Sequence, residues 1–270
     1  MSNDGMADAN IDGSADAGTA AELPAQRIER LERQLRQARA DLEDFTRAVS
    51  HDLRAPLRHL GAFANILRED LPEPQRSQVL PHLDRISEAA RLMGLQIDGL
   101  ARLARTGQGH FEPMPLDVGE LAQAAFATLR HKPGPDTADG PNPRDALLQL
   151  APDMPPVMAD ATLLREALTE LLANALKFTR PRPQARISLA ASRHDGQCVL
   201  TVADNGVGFE PGHQTRLFQP FARLHSSKAF EGLGLGLAIT RKIIERHGGQ
   251  IEASGAPDGG CRVSFRLPLA

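Results

Sequence analysis

The 270-residue sequence has no tryptophan and no tyrosine, and it contains only two cysteines, Cys198 and Cys261. Without large amphipathic aromatics, a stacking surface for nucleic-acid bases or an aromatic platform for sugars is disfavoured. Neither cysteine has the spacing of a metal site, so both are interpreted as buried free thiols in a reducing compartment. The net charge is −3 at pH 7, and this lack of a basic excess argues against nucleic acid as a partner.

Long apolar runs are missing as well. No stretch approaches the roughly 20 apolar residues of a membrane-spanning helix, and the N-terminus lacks the apolar core of a signal peptide. We therefore expect a cytoplasmic protein without membrane insertion. Residues 1–25 are small, polar and acidic, which predicts a disordered N-terminal segment. The remaining length suffices for two modest domains.

Helical periodicity is abundant and begins at Gln26, from where it is nearly continuous to about Leu67. Its apolar residues alternate steps of three and four, and this pattern predicts a seam along which two or more helices pack. The seam consists of Ile28, Leu31, Leu35, Ala38, Leu42, Phe45 and Val49.

A second helical pattern follows an interruption at Leu71–Pro74 and ends at Gly107. Pro81 lies inside it, and the sequence leaves open whether the helix starts or bends there. Two amphipathic helices joined by a short loop cannot bury both faces alone. Residues 26–107 therefore predict a helical hairpin that forms a dimeric four-helix bundle.

The stretch FTRAVSHDLRAPL places His51 two residues past Val49, off the seam and next to Asp52. Pro56 follows, so we expect a local irregularity of the helix just after the histidine. A surface histidine on a coiled coil is the plain interpretation of such a residue. The choice between that interpretation and a chemical role depends on the rest of the chain.

After a linker at 108–114, residues 115–270 mix helical and strand patterns. The mixture predicts an α+β arrangement, in which a layered sheet is covered by helices on one face. A loop rich in proline, glycine and aspartate is predicted at 133–145. Helices are predicted at Leu116–Leu129, Ala159–Thr179 and Leu237–Arg246, and strands at 145–150, Ala185–Ala191, Cys198–Ala203, Gln250–Ala253 and Arg262–Leu267.

Polar residues form a stripe on the helix predicted at Ala159–Thr179. Glu166, Glu170, Asn174 and Lys177 share it by their i, i+4 and i+3 spacing. An ordinary solvated face is one interpretation, although Asn174 is a poor helix former in a run of good ones. The other is a Mg²⁺ site, because this ion takes few protein oxygens and leaves positions for phosphates and water.

Two glycine-rich stretches flank a long polar segment. Asp204-Asn-Gly-Val-Gly208 follows a strand, and one interpretation is a hairpin turn. In the other, Asp204 accepts a hydrogen bond from a ligand, and Gly206 and Gly208 let the backbone approach that ligand closely. Gly232-Leu-Gly-Leu-Gly-Leu237 opens a helix, which is the arrangement of a phosphate site built from backbone amides. It is neither a Walker loop nor a dinucleotide fingerprint. The segment 210–231 between them has the length of a functional lid.

In this order, the motifs resemble those of bacterial histidine kinases, in which a dimerisation and phosphotransfer hairpin precedes an ATPase domain of the gyrase and heat-shock-chaperone superfamily. SHDLRAPLR resembles the phosphoacceptor box, LTELLANALKFT the N box, DNGVGF the first glycine box, LFQPFARLH the phenylalanine box and GLGLGLAI the second glycine box. The wording HDLRAPL is similar to phytochrome-type kinases. The resemblance runs from about residue 40 to the end.

The resemblance implies a two-component histidine kinase with ATP and Mg²⁺ as cofactors, and an α/β sandwich of the Bergerat type as its ATP-binding domain. The enzyme would act as a homodimer and pass its phosphoryl group to a response-regulator aspartate. His51 would accept the phosphoryl group, and Asp52 would orient and activate its imidazole. The implied nucleotide contacts are Asn174 on Mg²⁺, Lys177 on phosphate, Asp204 on the adenine amino group, Gly206 and Gly208 around adenine, and Gly232, Gly234 and Gly236 at the lid end.

Three positions depart from the family pattern. Ala55 replaces a Thr or Asn that is linked to removing phosphate from the partner. Glu170 stands where these kinases have Asn; it is a metal ligand beside Asn174, an ion-pair partner, or a water-activating base as in gyrase-type ATPases. Leu233 replaces a frequent Thr of the second glycine box.

Two other functions compete with the kinase. A weak dimeric adaptor that binds ATP or relays phosphate is disfavoured by the intact nucleotide motifs. A stand-alone ATPase leaves the His51 helix unexplained. The input signal is not readable, so the sensor is a separate protein, a module outside this sequence, or absent.

Overall fold

A computed structural model of the chain describes residues 24–106, 109–131, 146–226 and 229–270. Most of the segment predicted to be disordered and all of the loop predicted at 133–145 therefore lie outside the described residues. The chain divides into two units, residues 1–44 and 45–270. In the first unit, the described residues form the beginning of a long helix, α1 (Pro24–Asp70).

The helical hairpin predicted from periodicity is present. Helix α1 ends at Asp70, Leu71 and Pro72 form the turn, and α2 spans Glu73–Arg105. Both helices continue through an internal proline, Pro56 in α1 and Pro81 in α2. The second helix thus begins before Pro81, at Glu73. Pro74 lies in its first turn, where a proline removes no helix hydrogen bond.

Inside the second unit, ion pairs join the two helices, and each helix carries a buried apolar side chain. The Arg54 guanidinium lies 2.8 Å from the Asp98 carboxylate, and Arg68 pairs with Asp84. Ala64 and Leu83 are buried. No helix among the described residues is both long enough and apolar enough to cross a membrane.

Large apolar side chains of both helices nevertheless remain exposed in the single chain. The exposed set includes Leu53, Leu60, Phe63 and Leu67 on α1, and Ile86, Met93 and Leu100 on α2. Contiguous exposed apolar surface of this kind marks an interaction face. A lone hairpin therefore leaves part of its apolar surface unburied.

The rest of the second unit is an α+β domain. The elements are β1 (Met114–Leu116), α3 (Val118–His131), β2 (Leu147–Leu150), β3 (Val157–Ala159), α4 (Ala161–Phe178), β4 (Arg186–His194), β5 (Gln197–Asp204), a 3-10 helix (Pro211–Arg216), α5 (Gly236–Arg246), β6 (Ile251–Gly255) and β7 (Cys261–Pro268). Five strands form one sheet in the order β2-β4-β5-β7-β6, in which only the β2–β4 pair is parallel. Strands β1 and β3 form a small antiparallel pair.

The core of this domain lies between the sheet and the helices. Leu164 and Leu168 of α4 are fully buried, as are Leu200 of β5 and Phe265 of β7. Burying each such side chain contributes about 1.5–3 kcal/mol relative to leaving it in water. The alternation of buried and exposed residues along β7 follows the strand period and confirms the predicted half-buried strand.

Candidate functional site

A cavity of about 310 Å³ lies between α4, the start of α5 and the segment that follows β5. It brings together eight of the residues that the sequence assigns to the nucleotide. They are Glu170, Asn174, Lys177, Asp204, Gly208, Gly232, Gly234 and Gly236.

Asp204 lies at the end of β5, mostly buried, with its carboxylate at this cavity. Its Oδ1 accepts hydrogen bonds from the backbone amides of Gly206, at 2.8 Å, and Cys261, at 3.3 Å. Burial raises the pKa of Asp204 to about 6, and the two amides oppose that shift. Because both amides bond Oδ1, a ligand donor is expected at Oδ2.

The hairpin interpretation of Asp204-Asn-Gly is wrong. Strand β5 pairs with β4 and β7, and the chain leaves it through the long segment before α5. A tight hairpin turn of this sheet lies instead at Asp195-Gly196, between β4 and β5, with φ angles of 48° and 74°. Gly208 has φ 64°, and a Cβ there would collide with the carbonyl oxygen of Ala256. The glycine is needed because two backbone segments meet at this point.

Gly206 is not among the described residues that line the cavity, but it packs against the end of α4. A Cβ at this position would lie 2.6 Å from the carbonyl oxygen of Phe178, at the end of α4. The backbone amide of Val207 donates to the same oxygen at 3.2 Å. The first glycine box is therefore packed directly against the C-terminus of the helix that carries Asn174.

Glu170 and Asn174 face the N-terminus of α5. A Cβ at Gly236 would lie 2.5 Å from Glu170 Oε2 and 3.5 Å from Asn174 Nδ2. Gly236 begins α5, so its first backbone amides also point to this end of the cavity. An anionic group bound here would meet unpaired helix amides and the helix dipole.

The stripe on α4 is not an ordinary solvated face. Arg102 of α2 lies 2.6 Å from the Glu170 carboxylate and 2.8 Å from that of Glu166, whose side chains are only 21% and 26% exposed. The sequence did not single out Arg102, and no local pattern identifies a residue whose partners lie in another element. Within the described ranges, no three His, Cys, Asp or Glu side chains converge on a metal site.

Lys177 is half-buried at the lid end of the cavity. Its Nζ lies 4.4 Å from the Phe178 ring centroid, and a Cβ at Gly232 would be 3.4 Å from it. Burial lowers the pKa of Lys177, Glu231 opposes the shift, and Arg223 and Arg180 add to it. The cationic side chains of Lys177, Arg180 and Arg223 therefore lie near this end of the cavity, together with the Glu231 carboxylate.

The segment predicted as a lid is anchored to the end of α4 by an ion pair and by a cluster of rings. Arg180 pairs with Glu231 through two hydrogen bonds, one of them 2.6 Å long. The rings of Phe178, His225 and Phe230 pack with centroids 5.0–5.4 Å apart. These contacts lie between the end of α4 and the lid, and they border the cavity.

His51 and Asp52 lie on α1, and neither is among the described residues that line the cavity. The side chains are 83% and 80% exposed, and His51 Nδ1 lies 3.2 Å from Asp52 Oδ1. His51 lines a groove between α1 and α2 together with Ala55, and it is not among the described residues that line the cavity. The sequence-based position of His51, off the seam and in solvent, agrees with this exposure.

Comparison with known proteins assigns both parts. Residues 41–109 match the model of the His Kinase A phospho-acceptor domain, and residues 159–270 match that of the histidine kinase-, DNA gyrase B- and HSP90-like ATPases. A hairpin with an exposed histidine therefore precedes an ATPase domain, and with these two domains the chain belongs to the histidine kinase family.

Relatives with named roles share most of this chain. The phytochrome-like protein Cph1 of Synechocystis sp. is 30% identical over 245 residues, which cover 91% of this chain and 31% of that protein. The methanogenesis regulatory histidine kinase FilI of Methanothrix harundinacea is 34% identical over 230 residues, or 85% of this chain and 25% of that protein. The chain thus spans less than a third of the length of either relative.

A solved structure has the same arrangement of elements. The crystal structure of full-length ShkA in complex with AMPPNP matches with a TM-score of 0.56 at 25% identity, over 84% of this chain and 46% of that one. The predicted helical hairpin followed by an α/β sheet domain is thereby confirmed, whereas the dimeric four-helix bundle stays a prediction.

Proposed function

We propose that the chain is an ATP-dependent protein histidine kinase that phosphorylates His51 and transfers the phosphoryl group to an aspartate of a response regulator. The observation that carries this proposal is the exposed His51–Asp52 pair on a phospho-acceptor hairpin, in one chain with an ATPase cavity. Neither feature alone requires a kinase. Together they supply an acceptor and a phosphoryl donor site.

The hydrogen bond between His51 and Asp52 assigns the ring nitrogens. An ionised carboxylate only accepts, so the neutral imidazole carries its proton on Nδ1 and keeps a lone pair on Nε2. Nε2 attacks the terminal phosphorus, the bond to the departing ADP oxygen breaks, and Asp52 stabilises the positive charge that develops on the ring. The phosphoryl group ends on Nε2.

We assign the nucleotide contacts by position in the cavity. Asp204 accepts from the adenine amino group, Lys177 neutralises phosphate, and the glycines at the start of α5 bring backbone amides to it. Asn174 and Glu170 offer the oxygen ligands that Mg²⁺ prefers, one helical turn apart and beside the same amides. When bound there, Mg²⁺ would neutralise phosphate charge.

A second copy of the chain is the proposed occupant of the exposed apolar face on the hairpin. Leu53, Leu60 and Phe63 of α1 are each more than a third exposed in the single chain. The phospho-acceptor family that residues 41–109 match supports dimerisation through these helices. We therefore propose a homodimeric four-helix bundle.

Incubation with γ-labelled ATP followed by acid treatment tests the proposal. A histidine kinase gives acid-labile label on the protein, because a phosphorus–nitrogen bond hydrolyses in acid. A stand-alone ATPase releases labelled phosphate and leaves the protein unlabelled. An adaptor without catalytic activity gives neither signal, and either of these two outcomes would refute the assignment.

Nucleotide affinity is expected to weaken as the pH falls through the pKa of Asp204. That pKa lies at about 6, so the carboxylate is ionised at pH 7 and mostly protonated at pH 5. Only about a tenth of the sites would then accept the adenine amino group, and the apparent affinity should fall about tenfold. Titration of ADP binding by calorimetry at both pH values measures the change.

Asp204→Asn is the control for this pH dependence, because titration of the ADP phosphates is common to both proteins. The variant should bind ADP more weakly at pH 7 and show a shallower pH profile than the wild type. Parallel profiles for the two proteins would exclude Asp204 as the titrating group.

Weak phosphatase activity toward the phosphorylated regulator is the expected consequence of Ala55. This residue shares the groove of His51 and has no group that can orient an attacking water. Introducing one by Ala55→Thr or Ala55→Asn should speed phosphate release by about 10–10³-fold. The assay adds unlabelled kinase and ADP to labelled regulator; fast release by the wild type, with no increase in either variant, would contradict the expectation.

A further inference from the structure

Arg182 lies in the short connection between α4 and β4, and its guanidinium bonds two separate backbone segments. Its Nε donates to the carbonyl oxygen of Asn205 at 2.9 Å, and its Nη2 donates to that of Gly206 at 2.9 Å. The same Nη2 lies 3.0 Å from the carbonyl oxygen and 2.9 Å from the Oδ1 of Asp258. The first segment is the first glycine box, and the second is the turn between β6 and β7.

These two segments supply the amides that hold the Asp204 carboxylate. Gly206 belongs to the first segment, and Cys261 begins β7 directly after the second. A further bond joins the segments, from the amide of Asp258 to the carbonyl oxygen of Val207 at 2.8 Å. The Arg182 guanidinium thus ties together both sources of the hydrogen bonds that orient Asp204.

The contact depends on the shape of the guanidinium as well as on its charge. Three of its four acceptors are backbone carbonyls, and the Arg182 side chain is only 27% exposed. A planar fork with fixed donor directions can bridge carbonyls of neighbouring segments, whereas a lysine ammonium is a single point of charge. Lysine at this position would not restore the bridge.

We propose that Arg182 is a positioning residue for adenine recognition: it fixes the two segments that orient Asp204 toward the 6-amino group. The proposal rests on the proposed ATP-binding role of Asp204. It adds a selectivity determinant outside the cavity, since Arg182 is not among the described residues that line it. Loss of the bridge should affect ligands with the amino group more than ligands without it.

Affinities of the full chain for ATP and for purine riboside triphosphate, which lacks the 6-amino group, test this proposal. Arg182→Ala should weaken ATP binding about tenfold, the effect of losing roughly one well-made hydrogen bond. Binding of purine riboside triphosphate should change less than about twofold, because it has no amino group for Asp204 to accept from. The ratio of the two affinities is the diagnostic readout, because a general loss of stability lowers both together.

Arg186→Ala is the matched control. Its guanidinium also lies at this edge of the domain but bonds only the side chain of Gln184 among its described partners, at 3.1 and 3.3 Å. This variant should keep the wild-type ratio, and Arg182→Lys should behave like Arg182→Ala. If Arg182→Ala does not fold, Asp258→Ala removes one acceptor of the bridge and should lower the ratio in the same direction.

Equal weakening of both ligands by Arg182→Ala would overturn the proposal, as would an unchanged affinity for ATP. A selective loss in Arg186→Ala would overturn it too, because the effect would then belong to any cation at this edge. Failure of the wild type to bind ATP would instead refute the proposed function itself.

Discussion

Replacing His51 with glutamine is expected to abolish acid-labile labelling from γ-labelled ATP while leaving the affinity for ATP nearly unchanged. Glutamine keeps the helix and a polar side chain, but its amide nitrogen has no nucleophilic lone pair. His51 is not among the described residues that line the cavity proposed for ATP, so its loss should not affect nucleotide binding. Autoradiography after acid and alkali treatment measures the label, and calorimetry measures the affinity.

His59→Gln is the matched control for this experiment, because His59 is exposed on the same helix. It should label like the wild type. His225 is a histidine that lines the cavity. Its Nε2–H donates to the Gly208 carbonyl oxygen at 2.9 Å, and its ring packs on Phe178 and Phe230. Label that persists in His51→Gln, at His59 or His225, would refute the assignment of His51.

Most long elements could be predicted from the sequence because each carries its own period. The apolar face of α4 and the alternation along β7 arise from burial on one side, whereas the seam of α1 is a period of apolar residues that stay exposed in the single chain. Strands β1 and β3 were not predicted. Each has three residues, which is too short for an alternation to be recognised.

Turn signals were harder to interpret, because Asp-Gly and Asn-Gly pairs recur along the sequence and do not all form the same turn. Asp195-Gly196 is the tight turn between β4 and β5, whereas Asn205-Gly206 leads away from the sheet. The side chain of Asn205 accepts from the Arg186 amide and donates to the Gln184 carbonyl, both at 2.9 Å. Those contacts are tertiary, so the dipeptide alone cannot reveal them.

The residues of the candidate site divide in the same way. Local motifs brought Glu170, Asn174 and Asp204 to attention, and the structure places them around one cavity. Arg102 and Arg182 were not identified, because their partners are distant in the sequence. Glu166 lies 64 residues after Arg102, and Asp258 lies 76 residues after Arg182. A single arginine in a loop or at a helix end has no periodic signal that would distinguish it from surface charge.

The ion pair between Arg102 and Glu170 bears on what the glutamate does. In this arrangement the carboxylate is held by a guanidinium from the hairpin, 2.6 Å away, while Oε2 lies beside Gly236. A carboxylate oxygen that bonds a guanidinium has fewer free lone pairs with which to accept a proton from water. Separation of α2 from α4 would free Glu170 to act on a water or a metal.

Slow release of phosphate from ATP is therefore expected in His51→Gln protein, where no acceptor histidine competes. Adding Glu170→Gln should reduce this release by about 10²–10⁴-fold if the carboxylate acts as a general base. Adding Arg102→Ala instead should increase it, because the base is then unpaired. Phosphate release under excess ATP and Mg²⁺ measures all three proteins.

Glu166→Gln in the same background separates the base from the ion pair. Glu166 also pairs with Arg102, at 2.8 Å, but Gly236 lies against Glu170. This control should not lose phosphate release. If Glu170→Gln abolishes release and the affinity for Mg-ATP together, the glutamate holds the metal; if release falls while Mg-ATP still binds, it acts as the base. No release by the His51→Gln parent above background would exclude a hydrolytic role for Glu170, and the glutamate would then serve only the ion pair or the metal.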